Sequence, residues 1–276
     1  MSIPLWLETA FLQTADFMYA RIPQAVPDKE RLAACKIISH RGEHDNRAVF
    51  ENTMPAFERV EAAGVWGIEF DLRWTRDLHP VVFHDEQLSR LAGTNQPISR
   101  LTLAQLKKDF GFIPAVEEVV ARFGKSLHLM IEIKDDAYPQ PDYQKKILKA
   151  LLAPLEPKRD FHFLALCPTL FRNVDFVPPE TCLPIAQTNL SVISEEAICK
   201  HYGGITGHYL LMTDRIRRRH RAQHQGVGTG FVNSLNCLFR EINRNSEWIF
   251  SETAASLQAD VKRLLVKGAD RSIVGQ

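Results

Sequence analysis

From residue 36 onward the chain alternates between short apolar runs and longer segments with one apolar face. Short apolar runs predict β-strands, and apolar residues that recur every three to four positions predict helices. Strands are predicted at residues 36–40, 66–72, 127–134, 161–166, 183–187, 204–210, 226–232 and 248–250. Helices are predicted at residues 53–63, 103–109, 115–123, 143–153, 195–202, 214–224, 235–243 and 253–267.

This alternation of strands and helices favours an α/β fold, a parallel TIM (β/α)8 barrel closed by right-handed crossovers. A further apolar run near residues 80–83 predicts a small hairpin after strand 2. Residues 3–20 follow a helical period and predict an extra N-terminal helix, which would pack under the barrel, against a partner subunit or against lipid. We therefore expect one domain over residues 1–276, with a helical extension at 1–35 and the barrel at 36–276.

Composition argues against several classes of binding partner and predicts a cellular compartment. The 34 basic and 33 acidic residues leave a net charge of +1, so no bulk attraction to nucleic acid is expected. The five cysteines are scattered and form no C-x-x-C pair, which argues against a disulfide scaffold or a zinc knuckle. Glu8, Asp16 and Arg21 interrupt the N-terminal apolar residues, so we expect no signal peptide, no transmembrane segment and a cytoplasmic location.

Candidate chemistry lies at the ends of the first two predicted strands. His40 and Arg41 end strand 1, where barrel enzymes place their reactive side chains. Glu69 and Asp71 are two residues apart, so a strand directs both carboxylates to one face. Buried carboxylates need a cation, and an all-oxygen site suits Mg²⁺ or Ca²⁺ better than zinc. An ion pair with Arg41 or Arg73 is the alternative.

The third predicted strand and the hairpin after strand 2 carry the remaining candidate residues. Glu132 and Lys134 share one face of the predicted strand 127–134. Glu132 would complete a three-carboxylate metal site, and Lys134 would neutralise a phosphate or pair with a carboxylate. His84 ends the apolar hairpin run and returns over the barrel mouth. His40 and His84 together suit phosphoester cleavage, because imidazole titrates near neutral pH. The remaining histidines occupy isolated positions and predict no catalytic role.

In this order the motifs resemble the glycerophosphodiester phosphodiesterase family, barrel enzymes that hydrolyse deacylated phospholipid head groups. The resemblance is dense over residues 36–134. It rests on His40-Arg41-Gly42, Glu51-Asn52-Thr53, Glu69, Asp71, Pro80-Val81-Val82, His84-Asp85, Ile113-Pro114 and Ile131-Glu132-Ile133-Lys134. Downstream the family's Trp-Thr-Val-Asn stretch is replaced by residues 228–234, where Phe231 or Asn233 would line the pocket. The family's Thr-Asp-x-Pro ending of strand eight is replaced by residues 251–254.

The resemblance implies a role for each candidate residue. His40 and His84 would be the catalytic acid and base, in an order that the sequence does not decide, and Glu51 and Asn52 would orient the histidine loop. One divalent cation, Mg²⁺ or Ca²⁺ with Mn²⁺ as a further candidate, would bind Glu69, Asp71 and Glu132, while Arg41 and Lys134 would contact the phosphate. The implied reaction is hydrolysis of a small glycerophosphodiester to an alcohol and glycerol phosphate, with the glycerol 2-hydroxyl as nucleophile and a cyclic phosphate as intermediate.

Other functions stay open beside this one. A lysophospholipase D-type phosphodiesterase would act on longer lipid diesters, which the hydrophobic N-terminal helix allows. A barrel lyase or isomerase with a Mg²⁺-bound enolate would leave paired histidines beside an arginine unexplained. A non-catalytic phosphodiester-binding barrel would be expected to have lost a metal carboxylate or a histidine, and none is missing. A homo-oligomer is a further expectation that the sequence leaves undecided.

Overall fold

The computed structural model describes residue 14 and residues 16–273, with side chains up to residue 266. Eight parallel strands form a closed barrel, and β3 is a short additional strand. The strands are β1 (Ile37–His40), β2 (Gly67–Trp74), β3 (Pro80–Val82), β4 (His128–Ile133), β5 (Phe161–Ala165), β6 (Cys182–Ala186), β7 (Gly204–Gly207), β8 (Gly226–Thr229) and β9 (Trp248–Ser251). Pairing of β1 with both β9 and β2 closes the ring, which confirms the predicted barrel.

Helices connect the strands on the outside of the barrel. They are α1 (Lys29–Ala34), α2 (Met54–Ala63), α3 (Ser89–Ala92), α4 (Leu103–Asp109), α5 (Val116–Phe123), α6 (Pro141–Leu151), α7 (Leu190–Cys199), α8 (Asp214–Arg221), α9 (Leu235–Asn243) and α10 (Ala254–Ile273). Local chemistry sets their ends. Helix α2 begins after Thr53, whose hydroxyl accepts from the amide of Ala56, and ends at Gly64, which has a φ of 66°. Within the described residues, no helix is both long and apolar enough to cross a membrane.

The predicted hairpin is confirmed, whereas the predicted N-terminal helix is covered only in part. β3 pairs antiparallel with β2, so that Val82 lies opposite Leu72. Most of residues 3–20 lie outside the described residues, although residues 16–19 are helical. The Tyr209 hydroxyl donates to Asp16 at 2.6 Å, which holds this segment beside the carboxyl end of β7. The division of the domain at residue 35 stays a prediction.

Several predicted boundaries are wrong by a few residues. β7 ends at Gly207 and β8 at Thr229, three residues before the predicted ends at 210 and 232. The apolar pattern continues beyond these strands because Tyr209 and Val232 are buried under loops rather than within the sheet. Helix α7 also begins at Leu190, before the predicted start at 195.

Strand periodicity divides the core into an inner and an outer part. Inside the barrel, Ile38, Met130, Leu164, Leu183, Trp248 and Phe250 form one apolar cluster. The alternate residues of the same strands pack against the surrounding helices, so both faces of the sheet are buried. On β4 the inner face carries His128 at the amino end, Met130 in the middle and Glu132 at the carboxyl end. The two ends of the barrel interior are therefore polar, and the middle is apolar.

Candidate active site

The structure brings the three predicted carboxylates together at the carboxyl end of the barrel. Asp71 on β2 lies opposite Glu132 on β4, and Glu69 lies opposite His40 on β1. Oxygens of Glu69, Asp71 and Glu132 lie within 4.8 Å of one another, and all three side chains are buried. Among the described residues, the Glu69 Oε1 atom has no hydrogen-bond partner. Such an unsatisfied buried oxygen in an all-oxygen cluster fits a hard divalent cation.

Two cations flank the carboxylates. Lys134 Nζ lies 2.6 Å from Asp71 Oδ1 and 2.5 Å from Glu132 Oε1, so Lys134 pairs with two carboxylates. Arg41 Nε lies 3.3 Å from Asp71 Oδ2. Burial acts to raise the pKa of Asp71, but Lys134 and Arg41 hold that pKa well below its usual range. The predicted alternative partner Arg73 instead pairs with Asp136.

Two positive side chains do not fully balance three carboxylates. Burial, followed by the charge of Asp71, raises the pKa of both Glu69 and Glu132. The raised pKa values measure the cost of holding these negative charges close together in a dry site. A divalent cation would remove that cost, so the electrostatics and the donor set agree.

His40 is oriented by a carboxylate from the last strand. Its Nδ1 atom lies 2.6 Å from Glu252 Oε1, and its Nε2 atom lies 3.7 Å from Glu69 Oε2. A carboxylate only accepts, so Nδ1 donates to Glu252, and Nε2 is turned to the side of the metal-ligand candidates. Burial alone would lower the pKa of His40, but Glu69 and Glu252 raise it to about 9.

His84 has a matching arrangement on the opposite side of the site. Its Nδ1 atom lies 2.7 Å from Asp85 Oδ1, and Arg90 donates to the other oxygen of that carboxylate at 2.7 Å. Burial lowers the pKa of His84, and the nearby cations Lys134 and Arg41 lower it further. Both imidazoles thus have a carboxylate at Nδ1, and both line the same cavity.

Glu51 and Asn52, which the resemblance expects to orient the histidine loop, form hydrogen bonds to residues around both histidines. Glu51 accepts from Arg41 at 3.0 Å and from Arg90 at 2.6 Å, which ties the loop after β1 to the partner of Asp85. Asn52 donates to Asp71 Oδ2 at 2.6 Å. Neither residue lines the cavity, so their contacts are those of orienting groups.

The cavity above the carboxylates has a volume of about 420 Å³ and is apolar on the side away from them. Its apolar lining consists of Leu164, Leu166, Ile185, Ala186, Leu210, Leu211, Phe231 and Phe250. Phe231 has a φ of 63° and is 48% exposed, and its ring lies 6.3 Å from that of His40. A bulky residue in the left-handed backbone region is uncommon and marks a constrained position.

Of the two residues expected to line the pocket, Phe231 lines the cavity and Asn233 does not. The expected pocket position is occupied by Phe231, whereas Asn233 lies behind the cavity wall. Asn233 Oδ1 accepts from the Glu252 amide at 2.9 Å and from the Ser251 hydroxyl at 3.1 Å. Asn233 therefore supports the carboxylate that orients His40.

Sequence reasoning missed two residues beside the cavity, Glu252 and His208. Glu252 lies 212 positions from His40, so no local pattern connects them. His208 lies at the carboxyl end of β7 and stacks against Phe231 with ring centroids 5.3 Å apart. Position at the end of a strand was the one available signal for both residues.

Comparison with known proteins agrees with the motifs. Residues 40–159 match the model of the Glycerophosphoryl diester phosphodiesterase family. A glycerophosphodiester phosphodiesterase of Caldanaerobacter subterraneus subsp. tengcongensis is 36% identical over 127 residues, which are 42% of this chain and 51% of that protein. Glycerophosphodiester phosphodiesterase 1 of Bos taurus is 31% identical over 142 residues, 46% of this chain and 41% of that protein. The chain thus spans about half the length of these relatives.

Solved structures extend the likeness of fold beyond residues 40–159. A glycerophosphodiester phosphodiesterase from Thermotoga maritima superposes with a TM-score of 0.66 at 20% identity, over 83% of this chain and 98% of that one. A phosphodiesterase from Oleispira antarctica, in complex with the product sn-glycerol-3-phosphate, has a TM-score of 0.70 at 20% identity and the same coverage. Residues 40–159 are therefore similar to the Glycerophosphoryl diester phosphodiesterase family, and the rest of the chain shares the barrel fold of these solved structures.

Proposed function

We propose that this chain is a metal-dependent phosphodiesterase that hydrolyses glycerophosphodiesters to an alcohol and glycerol phosphate. One observation carries the proposal: two imidazoles with carboxylates at Nδ1 line one cavity beside three buried carboxylates. This combination supplies both proton transfer and charge stabilisation, which phosphodiester cleavage requires. The similarity of residues 40–159 to the Glycerophosphoryl diester phosphodiesterase family supports the substrate class.

Glu69, Asp71 and Glu132 are the proposed ligands of one divalent cation, with Mg²⁺, Ca²⁺ and Mn²⁺ as candidates. The unsatisfied Glu69 Oε1 atom and the oxygen-only donor set support this assignment. When bound, such an ion stabilises negative charge on a phosphate oxygen. Arg41 and Lys134, which line the cavity, are the proposed contacts of the remaining phosphate oxygens.

His40 and His84 are the proposed acid and base. Glu252 and Asp85 fix the ring orientations, so each histidine exchanges its proton at Nε2. One imidazole removes the proton of the attacking hydroxyl, and the other donates a proton to the departing alcohol oxygen. With the glycerol 2-hydroxyl as nucleophile, this step releases the alcohol and leaves a cyclic phosphate, and one water then opens the ring to give glycerol phosphate.

Longer lipid diesters, the substrates of a lysophospholipase D-type enzyme, are a second candidate substrate class. The apolar side of the cavity favours an alkyl group near the scissile phosphate. Leu166 and Phe231 are 43% and 48% exposed at the cavity, and burial by a ligand would be favourable. Small head-group diesters would leave this surface in contact with water.

A substrate panel tests the proposal and separates the two classes. The chain is treated with excess EDTA and assayed on glycerophosphocholine and lysophosphatidylcholine, alone and with Mg²⁺, Ca²⁺ or Mn²⁺ restored. We expect hydrolysis only after an ion is restored, and a loss of most activity in Glu132→Gln. Full activity in EDTA would reject the catalytic ion. Failure on every diester with every ion would instead favour the non-catalytic binding barrel.

A cytoplasmic location and a homo-oligomeric state are two further proposals. All five cysteines are free, and Cys167 and Cys199 are exposed, which supports a reducing compartment and the predicted cytoplasmic location. Fractionation of the native cells and measurement of the mass in solution test the location and the predicted homo-oligomer.

A further inference from the structure

A chain of alternating charges connects two groups of the candidate active site that lie on different loops. In order of contact, its members are Arg41, Glu51, Arg90, Asp85 and His84. The four links measure 3.0, 2.6, 2.7 and 2.7 Å. A proposed phosphate contact stands at one end and a proposed acid or base at the other. Arg90 is the central member, and the function proposed above gives it no role.

The donors of Arg90 are divided between two carboxylates. Its Nε atom donates to Asp85 Oδ2 at 2.7 Å, while Nη1 and Nη2 donate to the two oxygens of Glu51 at 2.8 and 2.6 Å. A guanidinium is planar and its donors point in fixed directions, so these bonds fix the position of one carboxylate relative to the other. A lysine at this position would supply the charge without the fixed directions.

The two carboxylates depend on Arg90 to different degrees. Glu51 is 4% exposed and also accepts from Arg41 at 3.0 Å and from Asn46 at 2.7 Å. Asp85 accepts from His84, and within the described residues Arg90 is the one other side chain that donates to it. Loss of Arg90 would therefore leave Glu51 bonded but would free Asp85 to turn away from the imidazole.

The segment after β3 fixes the position of Arg90. Its neighbour Leu88 is fully buried, and Leu91 packs against the same apolar cluster. The Leu88 amide donates to the carbonyl of Gln96 at 3.1 Å, which holds the start of α3 in place. The buried members of this cluster, which is separate from the barrel core, are Val81, Phe83, Leu88, Ile98, Leu101, Leu106 and Ile113. The backbone at Arg90 is thus anchored on both sides by packing.

We propose that Arg90 is a positioning residue for the reaction, an inference that rests on the function proposed above. Arg90 holds Asp85 on the Nδ1 side of His84, so that the ring keeps Nε2 available to the substrate. Neither Arg90 nor Asp85 lines the cavity, so this role acts through His84 rather than on the substrate itself. The Arg90 side chain is 41% exposed, and a merely structural ion pair at that exposure would have little effect on stability or turnover.

Two variants of Arg90 test the role by kinetics. Arg90→Met keeps the length of the side chain and removes every donor, whereas Arg90→Lys keeps the charge. With glycerophosphocholine or lysophosphatidylcholine, whichever the unmodified chain hydrolyses faster, Arg90→Met should lower kcat by about 10- to 100-fold. KM should stay within about threefold, because Arg41 keeps its bond to Glu51. Arg90→Lys should recover part of kcat, and it carries the test if the methionine variant folds poorly.

Arg122→Met is the matched control. Arg122 on α5 also forms a two-pronged pair with a glutamate, donating to Glu61 at 3.1 and 2.6 Å, and its side chain is 47% exposed. Its kcat should stay within about twofold of the unmodified chain, and the urea midpoints of the Arg122→Met and Arg90→Met variants should agree.

A double-mutant cycle checks the route through Asp85. In a chain that already carries Asp85→Asn, Arg90→Met should lower kcat by a further factor of no more than about two, because the link to His84 is already weakened. Independent losses that multiply in the double variant would overturn the proposed route.

NMR of the histidine ring nitrogens provides a readout that needs neither turnover nor an ion. In the ¹⁵N-histidine-labelled chain, the neutral His84 ring should carry its proton on Nδ1, since Asp85 accepts there. Arg90→Met should shift it to a mixture of both tautomers, and Arg122→Met should not. A chain without activity but with this shift would reject the proposed function and keep the positioning contact. The same tautomer in the unmodified and Arg90→Met chains, or an unchanged kcat in an active chain, would overturn the inference.

Discussion

Histidines lie inside the barrel at both of its ends, partly exposed at the carboxyl end and buried at the amino end, and their hydrogen-bond partners differ. At the carboxyl end, His40 and His84 each donate a hydrogen bond to a carboxylate. At the amino end, His128 and His162 bond to each other and to a backbone carbonyl. The pKa of His40 rises to about 9 beside Glu69 and Glu252 despite burial, while burial lowers that of His128 to about 4.

The contrast between His40 and the amino-end pair shows that nearby carboxylates can outweigh burial in setting the pKa of a barrel histidine. Strand β4 carries His128 at one end and Glu132 at the other, on the same inner face. At the carboxyl end, Glu69 and Glu252 raise the pKa of His40, whereas burial and the cations Lys134 and Arg41 lower that of His84. A carbonyl and a second histidine at the other end leave a fixed acceptor that does not titrate near neutral pH.

The largest expected effect is the loss of turnover on removing either active-site histidine. His40→Ala and His84→Ala should each lower turnover of a glycerophosphodiester by about 10² to 10⁴, because each removes a proton carrier. Steady-state kinetics measures the loss, with His224→Ala at the amino end as the control. Values within tenfold of the unmodified chain for both variants would reject the assignment.

A smaller effect is expected on stability at acid pH. His128 and His162 have ordinary pKa values in the unfolded chain and lowered ones in the folded chain. Between about pH 6.5 and 4 the unfolded chain therefore binds more protons, so the free energy of unfolding falls as pH falls. Each of the two histidines should contribute roughly 3 kcal/mol to this fall.

Urea unfolding at several pH values between 7 and 4 measures this dependence. Carboxylates elsewhere also titrate there, so the informative quantity is the difference between the unmodified chain and His162→Gln. We expect a flatter pH dependence in the variant. Parallel curves for the two proteins would show that the buried histidines do not control acid stability.

Glu252 provides a sharper test of the carboxyl end. Glu252→Gln removes the charge beside His40 and should lower kcat by about 10- to 100-fold, with little change in KM, because a charged hydrogen bond to a proton carrier is lost. Glu252→Asp should recover part of the loss. Glu247→Gln, at the amino end, is the matched control. A change confined to KM would contradict an orienting role.

The smallest effect concerns substrate preference. Phe231→Ala removes an aromatic surface beside His40 and should lower the preference for lysophosphatidylcholine over glycerophosphocholine by about tenfold. The ratio of kcat/KM values for the two diesters measures it, and Val266→Ala on α10 controls for loss of an exposed apolar residue. An unchanged ratio would exclude Phe231 from specificity.

Much of the candidate site could be read from local patterns. The period of two placed Glu69 with Asp71, and Glu132 with Lys134, on common strand faces. The alternation of strands and helices predicted that those faces meet inside a barrel. Side-chain direction along a strand is a local property, set by the backbone of a few residues, and so it is available before the fold is known.

The contact partners of these side chains depend on which strands pair in the closed barrel, and this is a property of the tertiary structure. Glu252 reaches His40 because β9 pairs with β1, and His162 reaches His128 because β5 pairs with β4. Lys134 reaches Asp71 because β4 pairs with β2. The sequence by itself determined which residues face the interior and which chemistry they carry. Tertiary structure decided which of them touch, and hence their pKa values, because pairing between distant strands has no local signal.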